Sequence, residues 1–229
     1  MALYTIGDLH LSGGQNKPMD VFGDKWLNHA EKLSASFSDL TADDLCVICG
    51  DLSWGMSLEQ CREDFKLIDS FPCKKIILKG NHDYWWSTAS KAYQFFRENG
   101  FQSIDILNNN SFCYHGISIC GTRGWFYEEE TGSAHDRKIM LREAGRLKSS
   151  LDSAQTSDIF VFLHYPPVYG NYCCDEIMKL LNDYHVKLCC YGHLHGKSCS
   201  GAFNGIIGCT QFKLVSGDYL NFAPLKVME

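Results

Sequence analysis

Five short polar segments of this chain carry side chains of the types that bind metal ions. Each segment directly follows a run of apolar residues. They are Asp8-Leu9-His10, Gly50-Asp51, Gly80-Asn81-His82-Asp83, His164 within His164-Tyr165-Pro166-Pro167, and Gly192-His193-Leu194-His195. Their carboxylate, amide and imidazole groups are sufficient to hold two divalent cations, with His82 left over. Two such ions held side by side can cleave phosphate esters.

Each segment taken alone also has a purely structural explanation. Asp8 or Asp51 after a strand is often a turn or helix-cap residue, and a lone His164 is often a hydrogen-bonded core histidine. His193 and His195 are the most suggestive, because alternating imidazoles after a strand can reach one site. All five segments occur at the end of an apolar run, and this combination favours the metal-binding interpretation.

The apolar runs predict buried strands, and the segments between them have the periodicity of amphipathic helices. The predicted strands are 2–7, 45–49, 75–78, 158–163, 186–191, 205–209 and 212–216. The predicted helices are 23–40, a helix that starts at a capping box of Ser57 and Gln60, 87–99, 136–151 and 175–184. Three further short strands, 104–107, 112–114 and 117–120, are expected to form an antiparallel meander.

This alternation of strands and helices predicts an α/β fold with mostly parallel strand pairing and more than one sheet. The sequence contains no Pro-rich linker or internal repeat, so we expect one domain over residues 1–229. Ligands of open α/β sheets bind beyond the carboxyl ends of the strands, which is where the five polar segments lie. The fold can therefore bring these segments together although they are far apart in the sequence.

The charge balance bears on the partners of the protein. The chain has 229 residues, 45% of them hydrophobic, and a net charge of -6. An acidic chain without a basic stretch is a poor ligand for large nucleic acids or anionic membranes. We find neither a signal peptide nor an apolar stretch that could span a bilayer. We therefore expect a small phosphorylated substrate and no membrane, and the sequence does not indicate the oligomeric state.

The twelve cysteines bear on the compartment of the protein. Many lie inside apolar runs, where a free thiol behaves as a small hydrophobic side chain. Cys46-x-x-Cys49 lies within a predicted strand and has no second, similarly spaced pair, so we interpret it as core rather than as a redox or zinc motif. So many free thiols predict a reducing, cytoplasmic environment.

The five segments in this order resemble the calcineurin-like metallophosphoesterase family over nearly the whole chain. The resemblance implies a four-layer α/β/β/α sandwich of two mixed β-sheets flanked by helices. It also implies a set of site residues. Asp8, His10 and His195 would bind the first metal ion, Asn81, His164 and His193 the second, and Asp51 would bridge both. His82 would lie near the leaving-group oxygen, with Asp83 orienting it.

The chain departs from the family in the residues that would hold the phosphate. Many members have an acidic residue or an arginine shortly after the second or third motif, whereas here Leu-Ser-Trp follows Asp51 and Tyr-Trp-Trp follows Asp83. Arg123, in a Gly-flanked loop after a predicted strand, is our candidate for contacting the phosphate oxygens. A surface salt bridge is an equal alternative for this residue. The aromatic residues near the site loops could stack on a flat leaving group, although we favour a packing role for most of them.

The resulting functional prediction is a phosphoric ester hydrolase that acts on a small phosphomonoester or phosphodiester. A metal-bridging hydroxide would attack phosphorus, and His82 would protonate the leaving group as general acid. Asp, Asn and His ligands suit Mn²⁺, Fe²⁺ or Zn²⁺, and Mg²⁺ is also compatible. Two alternatives stay open: a catalytically weak or inactive scaffold for protein binding, and a nuclease acting on small nucleic-acid substrates. The retained His82 and ligand set disfavour the scaffold.

Overall fold

The fold is built from two large β-sheets, a small two-stranded sheet and five α-helices, which we describe from a computed structural model covering residues 1–15, 17–126 and 133–229. In chain order the strands are β1 (Leu3–Ile6), β2 (Leu45–Ile48), β3 (Lys74–Ile77), β4 (Ile104–Ile106), β5 (Ser111–Tyr114), β6 (Ile117–Thr122), β7 (Asp158–Leu163), β8 (Val168–Tyr169), β9 (Tyr172–Cys173), β10 (Leu188–Tyr191), β11 (Gly205–Ile207), β12 (Thr210–Leu214) and β13 (Leu225–Met228). The α-helices are α1 (His29–Phe37), α2 (Arg62–Ser70), α3 (Ala89–Asn99), α4 (Ala134–Asp152) and α5 (Asp175–Asp183).

Both large sheets are mixed. The first has the order β13-β1-β2-β3-β4, with β1 to β4 parallel and β13 antiparallel at the edge. The second has the order β11-β12-β10-β7-β6-β5, with four parallel central strands and an antiparallel strand at each edge. The short strands β8 and β9 pair with each other. Parallel strands at the centre of each sheet place their carboxyl ends on a common edge.

Three apolar clusters define four layers. The strand residues alternate in direction, so that Leu45 and Val47 of β2 face the second sheet while Cys46 and Ile48 face helices. The cluster between the two sheets includes Phe162 from β7. A second cluster packs the first sheet against α1, α2 and α3, and a third packs the second sheet against α4 and α5. The predicted α/β/β/α sandwich is therefore confirmed.

The predicted meander is wrong for its first strand. β4 pairs with β3 in parallel and forms the edge of the first sheet. Helix α3 between them carries the chain back over the sheet, which makes β3-α3-β4 a crossover unit rather than a hairpin. β5 and β6 do form the expected antiparallel hairpin, turning at His115 and Gly116 with φ of 46° and 82°. Positive φ at both turn residues is the conformation that closes a tight hairpin.

Three predicted helices begin later than expected, and for the one at 87–99 the delay is only to Ala89. The segment 23–40 contains short 3₁₀ turns and becomes α-helical at His29, after Asn28 adopts a left-handed φ of 52°. Ser57 and Gln60 do not cap α2, which begins at Arg62. Instead the Gln60 side chain accepts a hydrogen bond from the Met56 amide at 2.8 Å, so the pair closes a turn before the helix. Within the described ranges, no helix is both long enough and apolar enough to cross a membrane.

Candidate metal centre

The carboxyl ends of five strands bring the predicted metal ligands together at one edge of the sandwich. Asp8, Asp51 and Asn81 follow β1, β2 and β3 of the first sheet, while His164 and His193 follow β7 and β10 of the second. Backbone contacts fix the two edges against each other, since the Gly7 amide donates to the carbonyl of Val215 at 2.7 Å. The candidate site therefore draws residues from both sheets.

Asp8, His10 and His195 form the first group of possible ligands. One potential ligand atom from each lies within 4.8 Å of the others. The Nε2 atoms of His10 and His195 are 3.3 Å apart, and His195 Nε2 is 3.4 Å from Asp8 Oδ1. Asp8 is fully buried, and His10 is nearly so.

Asp51 lies between this group and the remaining histidines. Its Oδ2 atom is 3.6 Å from His10 Nε2 on one side and 3.6 Å from His164 Nε2 on the other. Asp8, Asp51 and His164 form the second buried group of possible ligands. A carboxylate in this position can contact two ions at once, which is the arrangement expected of a bridging ligand.

Asn81 joins His164 and His193. Its Oδ1 atom lies 2.6 Å from His164 Nε2 and 3.0 Å from His193 Nδ1. All seven side chains that the sequence singled out as metal ligands are thus in one connected cluster. The residues are Asp8, His10, Asp51, Asn81, His164, His193 and His195.

The spacing of these atoms fits divalent cations. Ligand atoms placed tetrahedrally at about 2.1 Å from a zinc-like ion are about 3.4 Å from one another. The separations of 3.3, 3.4 and 3.6 Å around Asp8, His10, His195 and Asp51 are close to this value. Oxygen and imidazole donors without thiolate suit Mn²⁺, Fe²⁺ and Zn²⁺. The donor set therefore fits a pair of divalent metal ions.

The backbone around the centre is held in unusual conformations. Asp8, His10, Asp51 and His193 have positive φ values of 57°, 45°, 52° and 73°. Such conformations are uncommon for residues other than glycine and tend to collect at functional sites. Gly80 is also required, because a Cβ there would collide with the Asp51 amide and carboxylate. These constraints aim the Asp8 and Asp51 carboxylates into the cluster.

Two histidines are oriented through the ring nitrogen that faces away from the neighbouring ligands. His164 Nδ1 lies 3.0 Å from the Cys49 carbonyl, which can accept a hydrogen bond from Nδ1–H and leave Nε2 unprotonated. His195 Nδ1 lies 2.8 Å from Asp218 Oδ1, and the other Asp218 oxygen accepts from the Gly196 amide at 2.9 Å. Such partners fix the tautomer of a metal-binding imidazole. Sequence reasoning missed Asp218, and its only signal was its place shortly after a predicted strand.

The electrostatics of the centre reflect two buried carboxylates beside several imidazoles. Burial and the neighbouring charges of Asp83 and Asp8 raise the pKa of Asp51 well above its usual value. Burial alone would raise the pKa of Asp8, but His195, His164 and His10 together lower it. Two negative groups this close favour a bound cation between them.

The imidazoles divide into neutral rings and one protonated ring. Burial lowers the pKa of His10 and of His164, and with the nearby His164 ring it lowers the pKa of His193 to about 3. Burial also disfavours charge on His195, but Asp8 and Asp218 raise its pKa to about 10. The neutral rings have a free lone pair for a metal ion, whereas His195 must lose its proton when it binds one.

Asp83 holds the loops around Asp51. Its carboxylate accepts hydrogen bonds from the amides of Asp51, Leu52 and Gly80 and from the indole of Trp85, at 2.7 to 2.9 Å. Among the described residues, these bonds do not include one to the His82 ring. Asp83 therefore contacts the backbone of the loop that carries Asp51 and the Gly80 amide beside Asn81, and its role in orienting His82 stays a prediction.

His82 lies at the mouth of the centre. Its ring packs on Trp54 at a centroid distance of 4.6 Å and lies 5.6 Å from the His10 ring. Its Nδ1 atom is 3.3 Å from the Tyr84 hydroxyl, and its amide donates to Asp51 Oδ1 at 2.8 Å. Burial, with His164 and Lys17 nearby, lowers the pKa of His82 to about 4. Protonated His82 is thus a stronger acid than an ordinary imidazolium, beside the Asp and His cluster.

The aromatic residues near the centre have different environments. Trp54 lines a pocket of about 400 Å³ beside His10, His82 and His195, together with Met19, Phe22 and Trp26. Trp85 is buried in the core and donates to Asp83. Trp54 therefore lies where it can contact a substrate, whereas Trp85 has the packing role we expected of most of these residues.

Arg123 lies next to the centre, and its guanidinium is already engaged. Its Nη2 atom is 3.5 Å from Oε1 of the buried Glu143, and the guanidinium carbon lies 5.1 Å from the Trp125 ring and 6.0 Å from the Tyr165 ring. Arg123 thus forms an ion pair, as the salt-bridge alternative expects, and it also lines a pocket beside the site, while its contact with phosphate stays a prediction.

The sandwich and its edge of Asp, Asn and His residues define a metal-dependent hydrolase of phosphoesters. A model of the calcineurin-like phosphoesterase family matches residues 1–197, and the chain therefore belongs to this family. The family is dinuclear and metal-dependent, in agreement with the Asp and His groups of this chain that can bind metal. The chain is accordingly a metal-dependent phosphoesterase.

Solved structures with the same fold are distant in sequence. The phosphopantetheinyl hydrolase of Mycobacterium tuberculosis has a TM-score of 0.61 and 14% identity, over 99% of this chain and 95% of its own. A protein of unknown function from Aquifex aeolicus has a TM-score of 0.52 and 14% identity, over 98% and 95%. A Thermus thermophilus protein has a TM-score of 0.52 and 12% identity, over 92% and 86%. No curated protein matches the chain in sequence. These likenesses show the fold.

Proposed function

We propose that the protein hydrolyses a small phosphomonoester or phosphodiester with two divalent cations, Mn²⁺, Fe²⁺ or Zn²⁺. Asp8, His10 and His195 would hold one ion, Asn81, His164 and His193 the other, and Asp51 would contact both. The observation that carries the proposal is the position of Asp51 Oδ2, 3.6 Å from both His10 Nε2 and His164 Nε2. When bound, the two ions would acidify a water molecule and neutralise the charge that develops on the phosphate.

The other residues of the chain position the substrate and move the proton. The alcohol leaving group needs a proton as its bond to phosphorus breaks, and His82 at the mouth of the centre would donate it. In the protonated ring both nitrogens carry a proton, so Nδ1–H can donate a hydrogen bond to the Tyr84 hydroxyl oxygen 3.3 Å away, and the proton on Nε2 is available for this purpose. Trp54, whose ring packs at a tilt against His82, would form one wall for the leaving group.

The substrate class is left open by the fold. One structural neighbour is named as a phosphopantetheinyl hydrolase, so a phosphopantetheine diester belongs in the substrate panel beside simple aryl and alkyl esters. The net charge of -6 disfavours a large nucleic acid, while small nucleotides remain suitable substrates. A reducing cytoplasm and a single domain over residues 1–229 remain predictions from the sequence.

The direct test is an assay of phosphate ester hydrolysis after metal reconstitution. Aryl phosphate mono- and diesters should be cleaved by the wild type with Mn²⁺. Asp51→Asn should lose at least about 1,000-fold in kcat/KM, since it removes a carboxylate that contacts both ions. His82→Ala should lose about 100-fold or more with alkyl esters and less with aryl esters, whose leaving groups barely need a proton.

Two surface substitutions are matched controls for this assay. Asp43→Asn and His115→Ala remove the same side-chain types at exposed positions outside the centre, and both should retain wild-type activity. Equal turnover by wild type, Asp51→Asn and His82→Ala would contradict the assigned roles. Metal binding without hydrolysis of any ester would instead favour the scaffold alternative.

A further inference from the structure

A second pocket lies beside the metal centre on the side of Arg123. It has a volume of about 260 Å³. The loop after β3, the turn before β5, the end of β6 and helix α4 form its walls. We call it the basic pocket and define it by four cationic residues: Lys79, Arg123, Arg142 and Arg146.

The charge of the basic pocket is not balanced by the described residues. Glu143, the one carboxylate in its lining, is fully buried. It accepts hydrogen bonds from Thr122 Oγ1 at 2.7 Å and Arg146 Nη1 at 2.6 Å, and it lies 3.5 Å from Arg123 Nη2. Lys79 and Arg142 form no ion pair with any residue in the described ranges. In a chain of net charge -6, such a local excess of positive charge attracts an anion.

Arg123 supplies the most specific feature. Its Nε atom is buried and has no hydrogen-bond partner among the described residues. A buried donor without a partner is unfavourable, so this guanidinium has capacity for a further acceptor. The guanidinium is held in place by Trp125 and Glu143, so its fork of donors is already oriented. Planar guanidinium groups pair well with the oxygens of a phosphate.

The basic pocket is within reach of a small molecule bound at the metal centre. Lys79 is two residues before Asn81, so their Cα atoms are at most about 7 Å apart. The Arg123 carbonyl accepts from the amides of His164 and Tyr165 at 3.1 and 2.9 Å. The Tyr165 ring lies between the two places, 4.4 Å from the His193 ring and 6.0 Å from the Arg123 guanidinium.

We propose that the basic pocket binds a second phosphate group of the substrate while the first lies at the metal centre. This inference rests on the proposed phosphoesterase function and narrows its substrate to small molecules that carry two phosphate groups a few bonds apart. Lys79 and Arg142 would contribute charge, and Arg123 and Arg146 would donate directed hydrogen bonds. The position of the bound second phosphate would also orient the ester that is cleaved.

The first test does not depend on catalysis. Metal-free protein is titrated with inorganic phosphate and binding is followed by calorimetry. Trp86, which lines the pocket, gives a second readout through its fluorescence. We expect saturable binding that weakens at least tenfold in Arg142→Gln/Arg146→Gln. Arg137→Gln, which removes an exposed arginine of the same helix outside the pocket, should bind as the wild type does. No saturable binding, or equal binding by all three proteins, would overturn the proposal.

The second test asks whether the phosphate belongs to the substrate. Butane-1,4-diol bisphosphate and monobutyl phosphate are compared as competitors of aryl ester hydrolysis in excess Mn²⁺. We expect the bisphosphate to have a Ki at least tenfold lower, and this advantage to fall at least fivefold in the double variant but not in Arg137→Gln. Equal Ki values in the wild type, even with phosphate binding in the first test, would overturn the substrate assignment and leave a site for a free anion.

Two further results distinguish a failure of the proposed function or of folding from a failure of the basic pocket to bind phosphate. If no aryl ester is hydrolysed, the proposed function fails, and the titration with inorganic phosphate still judges the basic pocket by itself. If the double variant does not fold, because Arg146 pairs with buried Glu143, Arg142→Gln alone replaces it. Arg142 is exposed, so its replacement should leave the fold intact and still weaken phosphate binding several-fold.

Discussion

Some proposed metal ligands at the centre are held in place by residues that would not themselves contact a metal ion. Asp218 shows this most clearly, because it is buried and binds both the His195 ring and the Gly196 amide. It keeps the His195 Nδ1 proton in place and thereby turns Nε2 towards Asp8 and His10. Removal of such a partner usually weakens metal binding without destroying the site.

Asp218→Asn should therefore lower the affinity for Mn²⁺ by about 10- to 100-fold. The amide can still accept a hydrogen bond from Nδ1, but it removes the negative charge that orients the His195 ring and makes Nε2 a stronger donor to a metal ion. Calorimetric titration with Mn²⁺ measures this effect, and Asp39→Asn at an exposed position serves as the control. Unchanged affinity in Asp218→Asn would show that His195 does not depend on this carboxylate.

For individual residues, the sequence predicted which side chains form the cluster of candidate ligands. It did not predict the residues that hold those side chains in place. Asp8, Asp51, Asn81, His164 and His193 each follow a strand, and strand ends of parallel sheets meet at a common edge. Asp218 lacks such a motif, since an aspartate in the turn after β12 has the composition of an ordinary turn. The contact of Asp83 with neighbouring amides also depends on the folded path of two loops, which a linear motif does not contain.

At the scale of elements, strand β1 is fixed to the segment before β2 by Asp44. Its carboxylate accepts from the Ala2 amide at 2.7 Å, from the Thr41 amide at 2.8 Å and from the Thr41 hydroxyl at 2.9 Å. Burial opposes its charge, but these hydrogen bonds lower its pKa from 3.8 to about 2. Since β1 and β2 carry Asp8 and Asp51, this contact aligns the two strands that deliver both buried carboxylates.

The lowered pKa sets the pH range in which Asp44 stabilises the fold. The group is ionised in the folded protein down to about pH 2, so its contribution is complete above pH 4 and disappears as the pH falls towards 2. Asp44→Asn should reduce the free energy of unfolding by roughly 1–2 kcal/mol at pH 6 and by about half as much at pH 3. Urea unfolding at both pH values measures the difference, with exposed Asp43→Asn as the control. An equal loss at pH 6 and pH 3 would contradict the assignment.

Strands and turns were predicted correctly where neighbouring residues in the sequence carry the whole signal. The strand 158–163 and the hairpin at His115-Gly116 match the expectation, because alternation and turn chemistry are local signals. The pairing partner of β4 was wrong, because three residues with two buried isoleucines suit either sheet, and the crossover through α3 decides between them. The start of α1 depends on Asn28, whose left-handed conformation interrupts an otherwise helical pattern.

For the molecule as a whole, the centre lies where two sheets meet. The first sheet supplies Asp8, Asp51 and Asn81, and the second supplies His164 and His193. A pair of ions bound there would hold both sheets together and stabilise the folded state through binding. The same edge carries an aromatic pocket on the side of Trp54 and the basic pocket on the side of Arg123. The acidic chain thus has a group of basic residues beside the centre at which we propose that a phosphorylated substrate binds.

The measurement that tests the central claim most directly is anomalous scattering from crystals grown with Mn²⁺. We predict two manganese peaks about 3.5–4 Å apart at this edge of the sandwich. One should contact Asp8, His10 and His195, the other Asn81, His164 and His193, and both should contact Asp51. A single peak, a pair bound elsewhere, or no peak at saturating Mn²⁺ would contradict the account.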